Sequence, residues 1–133
     1  MFGGGTIYWS SKKHDCVALS TMEAEYISSC AATKEVVWLK RFLQTLGVVI
    51  SVSEPVELLC DNISTISFAK DPKFHDRTKH VDIKYHFVRT MTERKEIEFS
   101  YIPTREMLAD SMTKTIIHDF FFTHVRSMGI HHP

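Results

Sequence analysis

Three acidic side chains in this 133-residue chain stand where an isolated carboxylate is costly. Asp61 in "LLCDNIS" follows a short apolar run and precedes a helix-forming stretch. Glu25 in "STMEAEY" lies one turn inside a long helical pattern, and Asp110 in "MLADSMTK" is flanked by apolar residues. Glu25 is in line with Met22, Ser29, Ala32 and Val36, a stripe of mostly small residues suited to lying close against a sheet. Acids so placed must be paired, protonated or bound to a cation. Magnesium, a hard cation that prefers oxygen ligands and keeps several waters, would answer for all three at once. Spacing alone leaves a plainer account beside this one, with Asp61 as an N-cap and Glu25 as a solvated helix residue. Glu23, the other acid of "STMEAEY", closes an S-x-x-E capping box with Ser20 and is directed at the helix end.

The elements that must position these acids can be read from periodicity. "TIYWSS", behind the flexible "GGG" of residues 3 to 5, is β-branched and aromatic and predicts a strand. A helix follows from the Ser20 cap to the Gly47 stop, with Ile27, Cys30, Ala31, Trp38, Phe42, Leu43 and Leu46 expected to face a sheet. "VELLC" reads as a buried strand, "NISTISFAK" as a short helix ending before "DP", and "VDIKYHFVRTMTERKE" as an amphipathic helix through Val81, Tyr85, Val88 and Met91. "IEFSYIP" alternates as a strand that stops at Pro103, and strands joined through helices favour parallel pairing. The tail predicts two helices, "REMLADSMTK" after a Thr104 cap and "IHDFFFTHVRSMG" with Ile117, Phe121, Val125 and Met128 on one side. The order β, α, β, α, α, β, α, α describes an α/β sheet carrying helices, with chemistry at the carboxyl ends of parallel strands, where Asp61 sits.

Composition narrows the class. The chain is 44% hydrophobic and 24% charged, as one globular domain over residues 1–133 would be. Sixteen Lys and Arg balance sixteen Asp and Glu, so any argument for a charged partner must be local. Three cysteines with no C-x-x-C spacing suit reduced thiols in the cytoplasm or nucleus, and the opening residues leave organelle import open. No apolar run approaches the ~20 residues of a membrane helix. Residues 70–95 hold eight Lys or Arg against four Asp or Glu, a window of +4 that suits either a phosphate backbone or a solvated helix face. His75, His80 and His86, five and six residues apart without a Cys pair, do not make a zinc site. "FFF" at 120 to 122 cannot all face one core, so at least one ring is expected to be exposed.

"STMEAEY", "CDN", "FHDRTKHVDIKYHF" and "MLADSMTK", in that order, closely resemble the ribonuclease H domain of copia-type LTR retrotransposon polyproteins, and the resemblance covers nearly the whole chain. It implies a ribonuclease H-like mixed sheet flanked by helices, and metal-dependent hydrolysis of the RNA strand of RNA/DNA hybrids by two magnesium ions held on four carboxylates. Carried over by motif, Glu25, Asp61 and Asp110 are three of the catalytic metal ligands. Asn62, Arg77, Lys79 and Lys84 are the nucleic-acid contacts that the same resemblance implies.

The family's first carboxylate lies on its first strand in a D-A-D-W type motif, ahead of the Gly-rich turn at which this chain begins with Met1. No acid occurs before Asp15, which follows the first predicted strand in a loop. The expectation is therefore a domain incomplete at its N-terminus, with vestigial ligands and little or no hydrolysis by this chain alone. In the family the absent strand lies beside "VELLC", and its loss exposes ladder groups at about 1–3 kcal/mol each. Self-association, a dimer above all, is the expected remedy, with a rearranged monomer as runner-up. The alternative function is a domesticated interaction protein, a regulator or toxin-like factor, acting through homo-oligomers and an unidentified protein partner.

Overall fold

In the computed structural model, residues 3–11, 20–48, 54–70 and 79–130 are described, excepting the side chains of residues 68 and 79–82. The order is α1 (Thr21–Thr45), β1 (Val56–Cys60), α2 (Ile63–Lys70), α3 (Lys79–Glu93), β2 (Ile97–Tyr101), a 3-10 turn (Thr104–Glu106), α4 (Asp110–Thr113) and α5 (His118–Ser127). By contacts the chain divides into two compact units, His14–Tyr101 and Met1–Lys13 with Ile102–Pro133.

The first unit holds α1 to β2. Ser20 Oγ accepts from the Glu23 N–H at 3.1 Å and starts α1, and Gly47 at φ 68 ends it, as its sequence predicts. β1 and β2 pair in parallel with Val56 beside Ile97, Leu58 beside Phe99 and Cys60 beside Tyr101. Parallel pairing requires a crossover, which α2 and α3 supply. Tyr26, Cys30 and Val37 of α1 meet Ile66 and Ala69 of α2, Tyr85, Val88 and Met91 of α3, and Ile97 and Phe99 of β2 in one core. The opposite sheet face, with Glu57, Leu59 and Glu98, is exposed, so among the described residues helices cover one face. Among the described residues the sheet has two strands, paired in parallel, where a larger mixed sheet is expected from the resemblance.

α1 buries Ile27 and Cys30 as expected, but the rest of its inward stripe differs. Tyr26, Ile27, Cys30, Thr33 and Val37 point inward, whereas Ala31 is exposed, and Trp38 and Phe42 stack on each other outside at 5.2 Å. Hydropathy overlooks Tyr26 and Thr33 because they carry hydroxyls. Both hydroxyls are satisfied, Tyr26 by donating to the Tyr85 carbonyl at 3.3 Å and Thr33 to the Ser29 carbonyl at 2.8 Å, so both can be buried.

In the second unit, residues 6–11 do not form the expected strand. A strand exists only through a ladder partner, and among the described residues their backbone makes one hydrogen bond outside regular elements, from the Thr6 N–H to the Met128 carbonyl at 2.9 Å. That contact brings the glycine-rich segment over the end of α5, where Gly129 at φ 74 lies so close to Gly4 and Gly5 that a Cβ would strike them. The expected helix over residues 105–114 is two short pieces, because Met107 is extended (φ −72, ψ 102). Thr104 begins the 3-10 turn and makes no side-chain cap. On α5 the inward positions are His124 and Met128, while Ile117 and all three of Phe120, Phe121 and Phe122 are exposed.

Candidate functional site

The carboxyl end of β1 is built by three consecutive residues with separate tasks. Cys60 is buried and its thiol donates to the Asn62 carbonyl at 3.6 Å. Asn62 caps α2, its Oδ1 accepting from the Thr65 N–H at 3.1 Å while its carbonyl accepts from Ile66 N–H. The capping role open to Asp61 on sequence grounds is thus filled by its neighbour, and Asp61 lies half-buried at the strand end.

Glu25, half-buried on α1, acts through its charge on Cys60. Burial raises the Cys60 thiol above its ordinary range; a backbone hydrogen bond at Asn62 opposes this, and the negative charges of Glu25 and Asp61 push it further up. Two carboxylates separated by 36 positions therefore act on one sulfur. Glu23 stays at the helix start, its N–H on the Ser20 cap. Oxygen donors of this kind suit a hard cation. Among the described residues, however, no three His, Cys, Asp or Glu side chains converge as a metal cage would require.

Asp110 belongs to the other unit. It opens α4, is half-buried, and its Oδ1 holds Lys114 Nζ at 2.8 Å. It borders a cleft of about 260 Å³ together with Thr104, Arg105, Ile117, Phe120 and His124. His124 is a polar anchor that periodicity did not flag. Its Nε2 lies 3.0 Å from the Arg105 carbonyl and its Nδ1 2.5 Å from Ser111 Oγ, so one ring nitrogen donates and the other accepts. The missed signal is a histidine four residues before Met128 on the same helix face.

The expected nucleic-acid contacts are only partly visible. Arg77 lies outside the described residues, and Lys79 begins α3 without a described side chain. Lys84 is half-buried, and with Lys34 its charge lowers the Cys30 thiol against the larger upward effect of burial. Arg89 spends its charge within α3, on Glu93 at 2.8 Å. No helix among the described residues is long and apolar enough to cross a membrane.

The sequence is similar to segments of retrovirus-related Pol polyproteins. It is 42% identical over 130 residues to that of transposon TNT 1-94 from Nicotiana tabacum, a match covering 98% of this chain and 10% of that protein. With that of transposon RE2 from Arabidopsis thaliana it shares 34% over 128 residues, 96% of this chain and 9% of the other. The chain thus spans about a tenth of the length of these curated relatives. A shorter similarity, 53% over 36 residues, covers 27% of this chain and 25% of secreted RxLR effector protein 161 from Plasmopara viticola. No family model matches the sequence and no solved structure matches the fold.

Proposed function

We propose that this chain derives from the ribonuclease H segment of a copia-type retrotransposon polyprotein, with Glu25 and Asp61 as the remaining core of its metal site. The observation that carries this reading is that the charges of Glu25, on α1, and Asp61, after β1, both act on the Cys60 thiol. Similarity to retrovirus-related Pol polyproteins along nearly the whole chain supports it. The resemblance also implies Asp110 as a ligand, and its carboxylate here holds Lys114 Nζ.

A pair of divalent ions, when bound, supplies Lewis acidity for in-line attack of water on a phosphodiester. The residues of this chain contribute position and charge. α1 presents Glu25, β1 presents Asp61, and Asn62 fixes the start of α2 so that the strand end keeps its shape. Lys84, Lys79 and Arg77 would meet the hybrid backbone.

Manganese titration of the 133-residue chain tests the site directly. Ion binding to the folded state should raise the melting temperature by mass action, and Glu25→Gln and Asp61→Asn should each abolish that rise. Cleavage of an RNA/DNA hybrid is expected to match the Asp61→Asn control. Equal manganese responses in wild type and both variants would overturn the metal assignment.

A second reading is a domesticated interaction protein, a regulator or toxin-like factor acting through homo-oligomers and a protein partner. Hybrid binding that is absent in the wild type while the fold is intact would favour it.

A further inference from the structure

We propose that the free edge of β1 takes up residues 6–11 of a second copy of this chain, in a reciprocal strand exchange.

β1 is paired along one edge, with β2, and among the described residues the other edge has no ladder. The Val56 N–H donates to the Glu96 carbonyl at 3.0 Å, which turns Val56, Leu58 and Cys60 toward β2. In a parallel strand alternate residues direct both backbone groups to the same side, so Glu57 and Leu59 offer theirs to the open edge.

Burial shows that the core is uncovered there. Ile97 and Phe99 are 1% and 3% exposed, yet their register partners Val56 and Leu58, on the same face one strand over, are only half-buried. At the start of the sheet the apolar cover is thus thinner on β1, while Cys60 at its end is buried.

Residues 6–11 have the chemistry to provide it. "TIYWSS" is β-branched and aromatic, carries no charge, and exposes Ile7 by 50%, Tyr8 by 56% and Trp9 by 58%. Its period of two puts Ile7 and Trp9 on one face, to cover Val56 and Leu58, and Tyr8 on the other, beside Leu59, itself 51% exposed. Segments of this composition at open edges pair with whatever strand is offered.

The area argues for reciprocity. From typical aromatic side-chain areas, each segment brings about 300–350 Å² of exposed side chain. One exchange would bury well under the area of a stable interface, whereas a reciprocal pair, counting both surfaces, buries about 1,300 Å², within the range of specific dimers. Two equal exchanges also close on a two-fold axis.

Light scattering and amide exchange on the whole chain test this. The expected result is a dimer at about 100 μM that dissociates near 1 μM, with Glu57 and Leu59 amides exchanging about tenfold slower at the higher concentration. Ile7→Lys with Trp9→Lys, both at exposed positions, should give a monomer of unchanged circular dichroism whose Glu57 and Leu59 amides ignore concentration. A monomer at every concentration, a dimer that survives this variant, or protection of Glu57 and Leu59 that is independent of concentration would each overturn the exchange.

Discussion

At the scale of single residues, Cys60 reports on the site. Its thiol is held protonated first by burial and then by the charges of Glu25 and Asp61, with the backbone at Asn62 pulling the other way. Removing either charge lowers the cost of the thiolate, so Glu25→Gln and Asp61→Asn should each speed alkylation of Cys60 by iodoacetamide at pH 8. Peptide-resolved mass spectrometry, with Cys30 as internal comparator, measures this; an unchanged rate in Glu25→Gln would mean that the two carboxylates do not meet. Asn62 as the cap of α2 was not legible in the sequence, where Asp61 stood as the candidate. Asp and Asn are both good caps, and a cap is decided by which residue stands at N-cap when the strand ends. His124 was illegible for another reason: its burial depends on the Arg105 carbonyl, 19 positions away.

At the scale of elements, α1 is tied to the sheet by a buried cation. Lys40 Nζ, with its side chain 8% exposed, lies 3.1 Å from Glu96 Oε2 and 3.4 Å from the Glu54 carbonyl, joining α1 to the segments that enter both strands. Removing the acid leaves the ammonium buried without its counter-ion, whereas replacing the lysine with an apolar side chain leaves Glu96, 28% exposed, free to hydrate. Glu96→Ala should therefore cost about 1–3 kcal/mol and more than Lys40→Met, as read from urea midpoints. The reverse order would show that the ion pair does not organise this corner. Elements made by local rules were legible: Ser20 starts α1, Pro103 follows the end of β2, and the crossover makes the strands parallel. Residues 6–11 were misread because strand propensity describes a surface fit to pairing and does not provide the partner.

At the scale of the whole molecule, three buried acids of high pKa give stability a sign with pH. Tyr26 is raised by burial and by the neighbouring Cys30 and Tyr85, and Cys30 and Cys60 are raised mainly by burial. The unfolded chain releases these protons first, with thiols near ~8.5 and phenols near ~10. Their contribution is complete below the unfolded thiol value and is lost as pH rises through the range up to the folded values. The urea midpoint should therefore fall between pH 7 and pH 10, and equal midpoints would contradict it. By itself the sequence determined the order of elements from α1 to β2 and their parallel pairing, because caps, turns and periodicity are short-range. Tertiary structure alone decided which face of α1 and α5 turns inward. Those outcomes depend on whether a polar atom finds a partner far along the chain, as the Tyr26 hydroxyl does 59 residues away on Tyr85, and no local pattern encodes it.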